Sequence, residues 1–292
     1  MIAPFQSYCK KAHAFNALVL KAKKNSERLT SGSQQSFFKG RGITFQEVRK
    51  YQAGDDVRSI HWSITARLRE PHIKLYKEDR DLSLWFLIDV SGSGIFGTHK
   101  QTKFEAITEL CAVIALTAQK SNCSIGAVFY SDRLEKVVLP QKGNLHCLKI
   151  FHSLTNQNIT GSKTSIASAL DYLMKIASKG SLIVVLSDFM SNAYDRSLKV
   201  ISQKHDLLGI RIYDKSEVNF PSASFMHIID SETGETATVN TSSKQFQLSY
   251  TTWYHEKVAY FEKAFTQAGA GILNVATDEE YSDKLVSYFQ KR

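Results

Sequence analysis

Two stretches of this chain are apolar at nearly every position: LSLWFLID, residues 82–89, and SLIVVLSD, residues 181–188. A strand with one wet face alternates polar and apolar residues, so a strand without alternation is covered on both faces. CSIGAVFY, DLLGIRIYD and GILNVA read as further strands, and KVVLP as a shorter one. Segments of helical period lie between them. KFEAITELCAVIALTAQ puts Phe104, Ile107, Cys111, Ile114, Ala115 and Ala118 on one face. TSIASALDYLMKIA turns Ile166, Leu170, Leu173 and Ala177 inward from a cap at or near Thr164. Residues 144–154, 193–203, roughly 244–268 and the final DEEYSDKLVSYFQ read as helices too. Strands alternating with helices predict an α/β fold, a mainly parallel sheet with helices on both faces. FMHIID-SETG-ETATV reads as a late β-hairpin insertion near 223–240.

The first 80 residues differ in character. Residues 1–80 hold 16 Lys/Arg against 7 Asp/Glu, whereas residues 81–292 hold 21 of each. The whole excess of +9 therefore sits in the first quarter, which suits an acidic partner or simply a solvated basic surface. Residues 5–24 carry a helical stripe of Tyr8, Ala12, Phe15, Leu18, Val19 and Ala22 with lysines opposite. SERLTSGSQQSFFKGRG is loop-like; ITFQEVRKY and PHIKLYKED are strand candidates. Between those strands, AGDDVRSIHWSITARL reads as a turn at Gly54, an Asp cap and a short helix, with Arg58 and Arg67 tying the helix to carboxylates and Trp62 filling a small core, or alternatively as a docking surface for a partner. We expect a small basic α+β module over 1–80 and the larger α/β domain over 81–292.

Some function classes are disfavoured. No apolar run approaches the ~18 residues that a membrane helix needs, and MIAPFQSYCKK has no signal-peptide core. The expected location is cytoplasmic. Cys9, Cys111, Cys123 and Cys147 form no C-x-x-C, and the nine histidines show no paired spacing, so neither a disulfide framework nor a Cys/His zinc site is expected.

In an open parallel sheet, ligands bind beyond the carboxyl ends of the strands. There the first apolar strand delivers Asp89, followed by Ser91 and Ser93 in a glycine-rich loop. SLIVVLSD delivers Asp188, and the loop GSKTS offers Thr164 and Ser165. Two carboxylates and several hydroxyls, without nitrogen or sulfur, suit Mg²⁺ or Mn²⁺. Two carboxylates only just balance the ion, so an acidic group of a partner could complete its shell.

The pattern D-x-S-x-S with a later loop Thr and a strand-end Asp resembles the metal-ion-dependent adhesion site (MIDAS) of von Willebrand factor A domains. The resemblance implies a von Willebrand A-type Rossmann-like fold. It also implies a site in which Ser91, Ser93 and Thr164 contact the ion, Asp89 and Asp188 hold it largely through water, and a partner supplies a carboxylate. The block Y-x-x-G-D-D-x-R-x-I-x-W-x-x-x-A-R, starting at Tyr51, is similar to a bacterial family catalogued as a domain of unknown function, family fifty-eight. Its members carry a von Willebrand-like domain and are typically encoded beside MoxR-type AAA+ ATPases. That resemblance implies a non-enzymatic adaptor working with such an ATPase, or with a client protein presenting Asp or Glu. One departure is Ser165, where the pattern has an acidic residue after the threonine.

GSGIFGTHK resembles a phosphate-binding loop, but Thr98 stands where its Lys belongs and His99 where its Mg²⁺ hydroxyl belongs. Ser91 and Ser93 do not fit the G-x-S-x-G of a serine hydrolase. An aspartyl phosphotransferase would want an acid at position 91. A Mg²⁺-dependent phosphohydrolase of another kind stays open. So does nucleic-acid or anionic-surface binding by the basic module, with Phe37, Phe38, Phe45 and Tyr51 as stacking groups.

Overall fold

Six strands pair into the central sheet that the unalternating apolar runs predict. The computed structural model describes residues 22–27, 44–52, 54–77, 82–98, 101–156, 164–229 and 235–290. The readings of a helix over 5–24 and of the loop that follows, and the stacking roles of Phe37 and Phe38, fall wholly or mainly outside the described residues; so do Cys9, His99 and the hairpin tip. The sheet contains β3 (Ser83–Asp89), β4 (Ser124–Tyr130), β5 (Leu134–Gln141), β6 (Leu182–Ser187), β7 (Asp206–Tyr213) and β10 (Gly271–Ala276). Their order is β10-β7-β6-β3-β4-β5, parallel except for β5, which pairs antiparallel with β4 at the edge.

The absence of alternation in β3 has its expected consequence. Leu84, Phe86 and Ile88 enter one buried cluster, and Trp85 and Leu87 enter another on the opposite side of the sheet. The first cluster takes in α2 (Lys103–Lys120), α3 (Asn144–Thr155) and α8 (Ser282–Gln290). The second takes in α4 (Ile166–Ile176), α5 (Asp195–Ser202) and α7 (Lys244–Gln267). The stripe read on α2 is real but incomplete, because the helix is buried around most of its circumference. Thr108 and Thr117 tolerate that burial by donating to the carbonyls of Phe104 and Val113, at 2.8 Å each. Cys111, Cys123 and Cys147 are buried free thiols.

Two small sheets stand apart from the central one. β1 (Thr44–Lys50) and β2 (His72–Lys77) pair antiparallel, and so do β8 (Met226–Ile229) and β9 (Thr236–Val239), as the hairpin pattern predicts. Asp56 caps the short 3-10 turn Val57–Ser59 by accepting from the Arg58 amide. The expected core role of Trp62 is not met: its side chain is 69% exposed. The cause is the length of α1 (Trp62–Leu68), two turns with no buried residue. It is held by polar bonds instead, the His61 amide to the His72 carbonyl and the His72 amide to the Thr65 hydroxyl. The charge clamp of this region is Arg49 on Asp55, bidentate at 2.9 and 2.7 Å, rather than Arg58 or Arg67, which are exposed. The cap of α4 is Ser165, adjacent to Thr164, and its side chain makes no capping bond. No helix among the described residues is long and apolar enough to cross a membrane.

Gly209 in β7 sits under the ring of Phe265 on α7. A methyl there would meet ring carbons at 2.4–2.8 Å. The ring is fully buried against Phe189 and Phe261, so it cannot swing aside. Gly209→Ala is expected to destabilise the fold by about 1–3 kcal/mol, the usual cost of overpacking. Phe265→Leu in the same chain should recover part of that loss. Urea unfolding of the single and double variants checks both, and a Gly209→Ala midpoint equal to wild type would contradict the packing.

Candidate functional site

The carboxyl ends of β3 and β6 lie side by side, because the two strands are parallel neighbours with Ile88 opposite Leu186. The next step up the sheet puts Asp89 beside Ser187, with Asp188 just beyond. The Ser187 hydroxyl donates to Asp89 Oδ2 at 2.7 Å, and the Ser91 amide donates to Oδ1 at 2.9 Å. Ser187 Oγ in turn accepts from the Phe189 amide at 3.1 Å. Each oxygen of Asp89 therefore accepts one bond that holds the loops after β3 and β6 together.

The loop after β3 makes a 3-10 turn over Gly92–Ile95 that brings the Ser91 and Ser93 hydroxyls within 3.0 Å of each other. Ser93 also lies close enough to Asp188 to stabilise its charge. Gly97 closes this loop; a Cβ there would strike the backbone of Gln101 and Thr102 at 2.6 Å. Asp188 is set from the other side. Phe189 adopts a left-handed backbone (φ 56°) and stacks on Phe261 with centroids 4.2 Å apart. That anchor turns the chain so that the Met190 amide reaches Asp188 Oδ1 at 3.3 Å.

A cation already stands here. Lys103, the first residue of α2, is 2% exposed, and its Nζ lies 2.9 Å from Asp188 Oδ2 and 2.6 Å from Glu217 Oε1. Glu217 belongs to the four-residue helix α6 (Lys215–Val218), whose capping box it completes by accepting from the Asp214 amide at 3.0 Å. Asp214 is fully enclosed. It accepts from the Thr98 amide (2.9 Å), the Thr98 hydroxyl (2.7 Å), the Ser216 amide (2.8 Å) and the Thr277 hydroxyl (3.2 Å). One carboxylate thus pins the end of the serine loop, the start of α6 and the end of β10.

The electrostatics follow from burial and spacing. Burial, reinforced by the negative charge of Asp188, pushes the Asp89 carboxyl up to about 6. Burial would raise Asp188 as well, but the Lys103 charge and its hydrogen bond outweigh that and hold Asp188 below the ordinary carboxylate range. Burial acts to lower Lys103, and the two carboxylates reverse it, so the ammonium is held more tightly than a free lysine's.

Of the five residues expected to bind metal, Asp89, Ser91, Ser93 and Asp188 are brought together. Thr164 stands half-buried on the neighbouring edge, next to Ser165, whose amide bonds the Ser131 carbonyl beyond β4 at 2.8 Å. The Thr164 hydroxyl makes no hydrogen bond to the described residues. The donor set is all oxygen and fits a hard divalent cation. Asp89, with both oxygens engaged, fits a place one water away from the ion. Among the described residues no three His, Cys, Asp or Glu side chains cluster as a metal site, since the other donors here are hydroxyls. Sequence reading missed Lys103, Ser187, Asp214 and Glu217. Two signals were available: D-K-S-E is a capping-box pattern, and a lysine opening an otherwise apolar helix sits at the wrong end of the helix dipole.

The sequence profile of the family described as "Protein of unknown function DUF58" matches residues 47–260. Uncharacterized proteins of Mycobacterium tuberculosis and Mycobacterium bovis are each 28% identical over 228 residues, covering 77% of this chain and 72% of theirs. Among solved structures, a conserved hypothetical protein BatB from Bacteroides thetaiotaomicron aligns over 72% of this chain and 98% of its own, with 11% identity and a TM-score of 0.44. A likeness that weak carries no argument about fold or function.

The raised Asp89 carboxyl has a measurable consequence in metal-free protein. Its folded-state value lies above the ordinary 3.8, so the folded chain binds this proton more tightly than the unfolded one. The resulting stabilisation is present below 3.8 and is lost as pH rises through about 6. With chelator present, the stability of wild type relative to Asp89→Asn should fall by roughly 2–3 kcal/mol across that window. Chemical denaturation at pH 3.5, 5 and 7 measures it. A flat difference would mean that Asp89 is not held up by burial.

Proposed function

We propose that this chain, which belongs to the DUF58 family of proteins of unknown function, is a non-enzymatic interaction adaptor. In this reading the β3–β6 edge takes Mg²⁺ or Mn²⁺ and docks a carboxylate of a partner protein. The observation that carries it is the convergence of Asp89, Ser91, Ser93 and Asp188 on one sheet edge, tied by the bonds of Ser187 and Ser91 to Asp89. Ser91, Ser93 and Asp188 are the groups that would hold the ion, with Thr164 completing the set; Asp188, held ionised beside Lys103, takes a direct place here instead of the water-mediated one that the resemblance implies. Asp89 fixes the loops and orients water. Bound metal would supply a coordination position for an acidic side chain. Ile95 and Phe96, both exposed, flank the serines and give a partner apolar surface to cover. By the family resemblance the partner is a MoxR-type AAA+ ATPase, a client protein presenting Asp or Glu, or both.

For the anionic-surface reading, two cations of the described basic region are already paired, Arg49 with Asp55 at 2.7 Å and Lys50 with Glu70 at 2.9 Å.

Calorimetric titration of Mg²⁺ and Mn²⁺ into wild type and Asp89→Ala tests the reading. Saturable binding is expected in wild type. It should be lost in Asp89→Ala while far-UV circular dichroism stays unchanged. Binding that survives the substitution undiminished would contradict a site built on this loop.

A further inference from the structure

Lys103 is hard to explain as structural filling. It opens a helix whose cap is already complete, Thr102 and Glu105 bonding each other's backbone amides. A cation at a helix N-terminus opposes the helix dipole. A buried charge also costs desolvation that an apolar residue in the same space would avoid. The side chain nonetheless runs inward beneath Phe96, whose ring centre lies 5.8 Å from Nζ, to reach two carboxylates. One of them, Asp188, belongs to the proposed metal site. The other, Glu217, is fixed by its bond to the Asp214 amide.

We infer that Lys103 is a displaceable internal counter-ion, competing with the divalent cation for Asp188 and using Glu217 as its second seat. This rests on the metal-docking reading and names the regulation of that site. Without metal, the ammonium neutralises Asp188 and keeps the buried edge from carrying unpaired like charges. A divalent ion reaching Asp188 Oδ2 must take that oxygen from Nζ. Lysine is a point charge on a flexible stem, so it can give up one bond and keep the other. The Glu217 contact, at 2.6 Å, is the shorter of the two. The ammonium therefore stays paired after the exchange. The Lys103–Glu217 pair thus sets the metal concentration at which the edge becomes ready for a partner carboxylate.

The inference makes two predictions of opposite sign. Replacing Lys103 by Met removes the competitor and leaves Asp188 unneutralised, so Mg²⁺ affinity should rise, by about tenfold for a like charge removed from hydrogen-bond range. Glu217→Gln weakens the second seat and drives Lys103 onto Asp188, so Mg²⁺ affinity should fall by about threefold or more. Chelator-treated full-length chains are titrated with MgCl₂ by calorimetry, with Asp89→Ala as control, and the Mg²⁺-induced rise in melting temperature is a second readout. That rise should be larger in Lys103→Met than in wild type. Glu217 is partly exposed, so its variant remains informative if Lys103→Met folds poorly. Equal affinities in wild type, Lys103→Met and Glu217→Gln, with binding lost in Asp89→Ala, would overturn the inference and leave the metal site standing. No Mg²⁺ binding by any variant, Lys103→Met included, would overturn both. Binding by Lys103→Met where wild type shows none would support the competition in its strongest form.

Discussion

The parallel pairing of β3 with β6 puts two carboxylates, Asp89 and Asp188, on one buried edge, and most of the surrounding structure serves to make that tolerable. Two buried like charges need compensation. The fold supplies it unequally. Asp89 receives neutral donors from Ser187 and Ser91, while Asp188 receives the Lys103 ammonium. The two groups consequently part, one drawn toward the neutral form and the other held ionised.

That division gives each residue a distinct part. Asp89 is a strut, binding the loops after β3 and β6 into one unit. Asp188 keeps its charge and is set by the left-handed turn at Phe189 and the aromatic stack beneath it. Asp214, Thr98 and Thr277 extend the same frame to β7 and β10. A loop rich in glycine and serine is thereby held in one shape by four strand ends. Rigid placement of this kind is what a recognition site requires if binding is not to be offset by the ordering of its own loops.

Much of this architecture was legible in the sequence, for identifiable reasons. Strands such as β3 and β6 advertise themselves because both faces are apolar, and the late hairpin and the long α7 follow from local pattern alone. Asp89, Ser91, Ser93 and Asp188 were legible because a parallel sheet collects its strand ends. What escaped depended on distance in the chain. Lys103 meets Asp188 across 85 positions and Glu217 across 114, and no periodicity reports such a meeting. Trp62 was misjudged because a large aromatic in a short helix looks like core, whereas two turns secured by polar bonds can leave it in solvent.

The central claim is that this edge is a divalent-metal site whose resident ammonium yields to the ion. Anomalous scattering from crystals grown with Mn²⁺ tests it most directly. The account predicts a manganese peak bounded by Ser91, Ser93 and Asp188, with Lys103 Nζ moved off Asp188 and still bonded to Glu217. Crystals saturated with Mn²⁺ that show no peak at this edge, with Lys103 still on Asp188, would contradict it.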